Sequence, residues 1–347
     1  MKSSKIETKP AALREALLRR VHRRYIASGN LSLPAAPALL STYVDMLSTM
    51  FQAMGRALSK AELDHLRRIL GDKLQEGWRI SPHCRVYIEW RTDPSPAVSL
   101  SYSLWLKEST TEAEYEEWTK TRAPPLFGEH PDAKVLAVAR SLGLPQAVPC
   151  LDIGAGTGRN ALPLAREGFL VDAVEMAPAL LQLLREEIAE EKLAVGVIEG
   201  DILGEVRLPP GKYRFLFLCE VVSHFREHAQ LRALFERASE ALQPGGMLLF
   251  SAFLAHDPYV PDTMARELSK IFWSTTYTRK QIAFAMDGLP FEKVSDESVH
   301  DYEKAHLPPE AWPPTGWFSD WSRGCDIFAL PEEKSPVELR WLLFRRR

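Results

Sequence analysis

Residues 150–175 read CLDIGAGTGRNALPLAREGFLVDAVE. An apolar run ending in Leu151-Asp152-Ile153 leads into Gly154, Gly156 and Gly158, and the acid Glu175 closes the stretch. The run predicts a buried strand, and the residues after Gly158 predict a helix. A strand before and a helix after are the context that gives a glycine loop meaning. Glycines allow the tight turn and let backbone N–H groups come close to a ligand. The spacing separates the known loop types. A phosphate-cradling loop needs Gly-Lys-Ser/Thr after four residues, which is absent here. A dinucleotide fingerprint needs its third glycine at 159, where this chain has Arg159.

Working outward, strands are predicted at 149–153, 170–174, 194–198, 214–218, 246–251, 291–299 and 337–344. Helices are predicted at about 130–143 and at 158–167, 178–191, 227–242 and 261–285. Alternating strands and helices imply an α/β, Rossmann-like sheet of seven mostly parallel strands with helices on both faces. No helix is expected between the last two strands, so the sheet should end in an antiparallel pair. Residues 302–335 between them read as an irregular insertion rich in proline and tryptophan.

Upstream the pattern differs. Residues 11–29 predict a helix whose stripe is Leu13, Leu17, Val21 and Tyr25, with a stop at Gly29-Asn30. Helices are also expected over 35–54 and 60–77, the latter with Leu63, Leu66, Leu70 and Leu74 on one face. Then RVYIEWRTDPSPAVSLSYSLWLK alternates, with Val86, Ile88 and Trp90 on one arm and Val98, Leu100, Tyr102 and Leu104 on the other. This predicts a β-hairpin turning at Asp93-Pro94-Ser95-Pro96. Ala123-Pro124-Pro125 suggests a boundary between an N-terminal helical and hairpin domain, 1–122, and an α/β domain, 123–347.

The chain has 347 residues, of which 46% are hydrophobic and 26% charged, with a net charge of −3. That balance argues against a dedicated nucleic-acid binder, which needs a basic surface. Cys84, Cys150, Cys219 and Cys325 are far apart and form no CxxC, which points to reduced thiols and a cytoplasmic protein. No signal sequence or membrane-length apolar run is evident.

The GxGxG loop preceded by Leu-Asp-Ile resembles the first motif of class I S-adenosylmethionine methyltransferases, from about residue 124 to the C-terminus. Glu175 ends the second strand, where an acid can accept bonds from both ribose hydroxyls. In the family's pattern, Gly200-Asp201-Ile202 places Asp201 at the adenine amine and Ile202 against its ring. Leu218-Cys219-Glu220 ends the fourth strand, beside the sulfonium in this fold, and Leu242-Gln243-Pro244-Gly245-Gly246 is the turn before the fifth. The resemblance thus implies S-adenosylmethionine as cofactor, with S-adenosylhomocysteine as product. It implies a site made of Asp152, Gly154, Ala155, Gly156, Thr157, Gly158, Asn160, Glu175, Met176, Asp201, Ile202 and Cys219. Gly158-Arg159-Asn160 and Gly168 look most like the tellurite-resistance TehB-type and related small-molecule methyltransferases.

Methyl transfer from a sulfonium needs a nucleophile held in line and water excluded. His224, in the loop after the fourth strand, is the candidate base or substrate contact. The other reading is that it shapes the pocket or caps the helix starting near Glu227. Glu220 is the second candidate, as a contact to the methionine ammonium or as pocket lining. His224 and His228 are four apart, but no third ligand stands at metal spacing, so no metal is expected. His256 and Tyr259 follow the fifth strand and are weaker substrate candidates. Trp312, Trp317 and Trp321 are candidates for a wall over a flat acceptor, or for simple docking of the insertion. The expected function is methylation of a small molecule. The alternatives are an RNA or protein methyltransferase using the N-terminal domain for docking, and a non-catalytic scaffold. The N-terminal domain is expected to cap the site or to form a homodimer contact.

Overall fold

The computed structural model describes residues 6–93, 99–330 and 335–347. The chain divides into two compact units, Met1–Thr111 and Glu112–Arg347.

The first unit contains helices α1 (Pro10–His22), α2 (Leu40–Ala53) and α3 (Lys60–Ile80), and strands β1 (Ser28–Pro34), β2 (Arg85–Asp93) and β3 (Ser99–Lys107). The three strands form one antiparallel sheet in the order β1-β2-β3. The hairpin arms pair as the alternation suggested. Pro94, Ser95, Pro96 and Val98 lie outside the described residues. The segment from Ser28 was expected to close a helix and instead forms β1, because Gly29 to Leu33 pair with Trp90 to Val86. A Cβ at Gly29 would meet the Trp90 ring, so the close pairing needs the glycine. In α3, Ser59 and Glu62 form a reciprocal capping box, and Leu66, Leu70 and Leu74 are fully buried. They pack with Leu47, Phe51, Val86 and Ile88 into the core of this unit. The predicted stripe of α1 is not part of that core: Leu13, Leu17 and Val21 are exposed.

The second unit begins earlier than Ala123-Pro124-Pro125 suggests. Helix α4 (Thr111–Thr121) packs through Tyr115 and Trp118 onto residues of the α/β unit. After α5 (Ala133–Ser141) come β4 (Pro149–Ile153), α6 (Ala161–Arg166), β5 (Leu170–Glu175), α7 (Pro178–Glu191), β6 (Val195–Glu199) and β7 (Tyr213–Leu218). Then follow α8 (His228–Ala241), β8 (Leu242–Ala255), α9 (Thr263–Ile271), β9 (Thr276–Tyr277), α10 (Arg279–Met286), β10 (Phe291–Ser298), α11 (Val299–His306), α12 (Phe318–Ser322) and β11 (Val337–Arg346). The sheet order is β10-β11-β8-β7-β4-β5-β6, with β9 added beside β8. Within it β11 runs antiparallel to both its neighbours, and the other pairs are parallel.

Three expectations need correction. The sheet has eight strands, because Thr276–Tyr277 breaks the long helix expected over 261–285 and pairs with Phe253 and Leu254. Two helices, α11 and α12, lie in the connection read as irregular. The turn expected at 242–246 is drawn into an irregular start of β8, with Gly245 at φ +77.

The central strands are buried on both faces, as parallel strands covered by helices must be. One side is packed by Leu216, Leu218, Leu231, Phe235, Leu248 and Phe250, the other by Phe215, Phe217, Leu249, Phe253 and Trp341. The carboxyl ends of β4, β5, β6 and β7 therefore share one edge, where ligands bind in open α/β sheets.

Candidate active site

The loop after β4 is set by its own backbone. Gly154 and Ala155 both donate to the Val174 carbonyl, at 2.8 and 3.0 Å, and Gly158 donates to Ala155 at 2.9 Å. Gly154, Gly156 and Gly158 have φ of +72, +58 and +94, a region that favours glycine. A side chain at 154 would collide with Val221, and one at 158 with Leu162 and Leu184. At 156 the nearest group is the Phe127 ring, 3.4 Å from where a Cβ would sit.

Glu175 ends β5 and is 5% exposed. Its carboxylate accepts from the amides of Gly156 (2.8 Å), Met176 (2.8 Å) and Ala177 (2.7 Å). Burial raises its pKa, and these amides oppose the rise. So the acid expected to meet ribose also ties the glycine loop to the next strand. Asp201 spends one oxygen on the Leu203 amide at 2.8 Å, and Ile202 is buried beside it. Met176 is exposed, and Thr157 is half-buried.

At the head of α6 lies a polar network that sequence reasoning found only in part. Arg159 is held by Asp132 at 3.1 Å and Glu220 at 2.8 Å, both through Nη2. Asn160 donates to the Asp132 carboxylate at 2.9 Å and accepts from the Asp132 amide at 2.8 Å. Asp152 lies buried below, and burial first, then the Asp132 charge, raises its pKa well above the usual carboxylate range. Burial likewise pushes up the Cys219 thiol and the Glu220 carboxyl, the latter opposed by Arg159. For Arg159, burial lowers the pKa, but the charges of Asp132 and Glu220 outweigh it and the net shift is upward. Glu220 sits at φ +64, a strained conformation for a residue with a side chain. Arg159 entered the sequence reading only through the Gly158-Arg159-Asn160 motif and Asp132 not at all, because nothing local says that they meet.

His224 ends a turn, Val222–His224, after β7. Its Nε2 lies 3.1 Å from the Tyr115 hydroxyl of α4. Tyr115, Trp118, Phe127, His224 and Trp273 form one aromatic cluster, with ring centroids 4.9–6.1 Å apart in the contacting pairs. Trp273 holds φ +58, again strained. Burial, then the charges of Glu175 and Glu220, push the Tyr115 hydroxyl upward. The cluster thus adjoins the glycine loop through Phe127. His228 does not share a face with His224; it lies on α8 beside Tyr277 and Gln281.

The weaker substrate candidates lie elsewhere. Trp321 is buried, stands edge-on to Phe253 at 4.9 Å and donates to the Phe272 carbonyl at 3.3 Å. Trp317 packs on Trp321, and Trp312 on His300 and Phe318. Trp321 thus docks the connection onto the sheet, and Trp317 and Trp312 pack around it through Phe318. His256 lies 3.5 Å from Glu338 and lines, with Trp312, His300 and Arg323, a cavity of about 490 Å³. Tyr259 packs against Phe328. Neither joins the aromatic cluster at His224.

Residues 150–246 match the methyltransferase domain family. The chain is 28% identical over 101 residues to a ubiquinone biosynthesis O-methyltransferase of Pectobacterium carotovorum, covering 29% of this chain and 41% of that one. It is 25% identical over 118 residues to a demethylmenaquinone methyltransferase of Tropheryma whipplei, covering 34% and 46%. A protein of Geobacillus sp. (strain WCH70), itself assigned to the methyltransferases only provisionally, is 25% identical over 162 residues, 47% of this chain and 59% of that one. The chain therefore spans less than two thirds of the length of these relatives. Among solved structures, geranyl diphosphate C-methyltransferase from Streptomyces coelicolor A3(2), bound to Mg2+, geranyl diphosphate and S-adenosylhomocysteine, shares the fold. Its TM-score is 0.52 at 14% identity, with 69% of this chain and 99% of that one covered. Among the described residues no helix is long and apolar enough to cross a membrane.

Proposed function

We propose that the protein is an S-adenosylmethionine-dependent methyltransferase acting on a small molecule. The observation that carries this reading is the glycine loop bound to the Glu175 carboxylate at the carboxyl edge of the sheet. The residues fit the cofactor. Gly156 leaves backbone open where a side chain would stand, and Glu175 keeps lone-pair capacity beyond its three amides. Asp201 and Ile202 stand at the next strand end for the adenine. The carboxylates of Asp132 and Glu220 flank the buried Arg159 guanidinium, a balance that favours a cationic ligand.

When bound, S-adenosylmethionine supplies a methyl on a sulfonium that an acceptor displaces in line. The protein's own residues orient and enclose. The rings of Tyr115, Trp118, Phe127 and Trp273 exclude water and offer apolar faces to the acceptor. His224, in contact with Tyr115, is the group best placed to take a proton from a phenol or amine. A thiolate acceptor would need no base. The TehB-type subgroup reading rests on Gly158-Arg159-Asn160 and Gly168 alone. A homodimer reading rests on the exposed apolar residues of α1.

Calorimetric titration with S-adenosylmethionine and S-adenosylhomocysteine is the test. Micromolar binding followed by methyl transfer in metabolite fractions is the expected result. Binding without transfer in any fraction would favour the scaffold reading. The alternative, an RNA methyltransferase, would dock its substrate through the basic face of α1, whose Arg19 is paired with Glu15. On that reading, tRNA binding should fall steeply with salt.

A further inference from the structure

A cavity of about 490 Å³ lies apart from the glycine loop, at the end of the sheet formed by β8, β11 and β10. It is walled by the residue after β8 (His256), by α11 (His300, Lys304), by α12 (Arg323) and by the start of β11 (Glu338). None of the candidate cofactor residues lines it. Its volume suits a small molecule, and its walls are mostly polar, with Val337 and Trp312 as the main apolar parts. The polar groups are held in place. His300 keeps Nδ1 2.9 Å from the Asp301 carboxylate and Nε2 3.4 Å from the Ser319 hydroxyl, and its ring stands edge-on to Trp312 at 5.0 Å. Ser335 donates to the backbone, reaching the Val337 carbonyl at 2.9 Å.

The donors and acceptors left over decide what fits. The acids are engaged: Glu338 accepts from Arg340 at 2.6 Å and lies 3.5 Å from His256, and Asp301 faces His300. The strongest donors are not. Arg323 gives Nε to the Ser319 carbonyl at 3.2 Å and Nη2 to Asp320 at 2.8 Å, and Nη1 of the same rigid fork has no partner among the described residues. The Lys304 ammonium, one turn along α11 from His300, forms no ion pair among them either. A cation would meet only carboxylates that already have partners. A metal ion does not suit the walls: among the described residues no group of three or more His, Cys, Asp and Glu is placed to hold one. A neutral apolar body would take water from the lysine and the arginine without replacing its hydrogen bonds. An anion replaces them at both groups. We propose that this cavity binds a small organic anion, a carboxylate or a phosphate monoester, whose oxygens take Nζ of Lys304 and Nη1 of Arg323. The site is additional to the cofactor site and does not rest on the methyltransferase reading.

The experiment is calorimetric titration of the full chain with phenyl phosphate, benzoate and benzylamine, three probes of similar size and different charge. At least one of the two anions should bind about tenfold or more tighter than benzylamine, the scale of a charge-assisted hydrogen bond. Whichever anion binds tighter names the head group. Lys304→Met and Arg323→Met should each weaken that anion by about fivefold or more, while Lys60→Met, an exposed lysine of the first unit, leaves it within about twofold. S-adenosylhomocysteine, titrated in parallel, should bind all three variants as it binds wild type. No binding of either anion at about 10 mM would overturn the proposal, as would tighter binding of benzylamine or an equal loss in Lys60→Met. Lys304 is exposed, so its variant should fold. If Arg323→Met does not, Lys304→Met decides, and unchanged anion affinity there overturns the proposal. Failure of S-adenosylhomocysteine to bind wild type would count against the cofactor reading alone and leave the anion result standing.

Discussion

Gly156 and Glu175 carry the largest consequences for single residues. Gly156 stands at φ +58, where a β-branched side chain is strained by about 1–3 kcal/mol. Gly156→Val should therefore lower S-adenosylhomocysteine affinity by at least about tenfold with a modest loss of melting temperature. Glu175→Ala removes the acceptor for three amides and should remove binding as well. Wild-type affinity in both variants, measured by calorimetry, would refute the site. Glu303 makes a different prediction. It is buried, accepts from the Ala133 amide at 2.7 Å, the Lys134 amide at 3.2 Å and the Trp341 indole at 3.0 Å, and is pushed up from 4.5 to about 7 by burial and then by Asp132. The unfolded carboxyl releases its proton near 4.5 and the folded one near 7. Stability from this group is fully present below the lower value and is lost as pH rises through the upper one, by about 1–3 kcal/mol. Glu303→Gln should flatten the fall in melting temperature across that window, at the cost of one cap bond to α5. An unchanged pH slope in differential scanning would count against it.

Among elements, α3 and α4 are the informative pair. α3 was legible from its leucine spacing, and the structure adds a Ser59–Glu62 capping box to the buried stripe. Ser59→Ala should cost about 1 kcal/mol in denaturant unfolding, with no effect on ligand binding. α1 had an equally regular stripe, yet none of its residues is buried. Periodicity states which face is apolar, not whether anything covers it. α4 has a weak pattern of its own, TEAEYEEWTKT, and nothing in it says which unit it joins. Its place is decided by Tyr115 and Trp118, whose partners His224 and Trp273 lie more than a hundred residues downstream.

For the whole molecule, the division at Thr111/Glu112 can be tested by truncation. A chain of residues 112–347 should fold and keep cofactor affinity, since every candidate cofactor residue lies in it. A chain of 123–347 loses Tyr115 and Trp118 from the cluster and should be less stable by about 2–5 kcal/mol, the scale of deleting large buried aromatics. Equal melting temperatures for the two fragments would show that α4 contributes nothing to the α/β unit.

By itself the sequence determined the half of the site that is local. The strand, the glycine loop, the helix and the closing acid follow one another within 26 residues, so spacing along the chain is also spacing in space. Strand positions were legible for the same reason, because burial on both faces leaves continuous apolar runs. Only the tertiary structure decided the other half. Tyr115 meets His224 across 109 residues, and Arg159 meets Glu220 across 61. Asp132 reaches Arg159 from the segment before β4, and Trp321 of the last connection turns inward to Phe253 of the sheet. Such meetings depend on where the packed sheet brings distant loops together, which no local pattern of residues encodes.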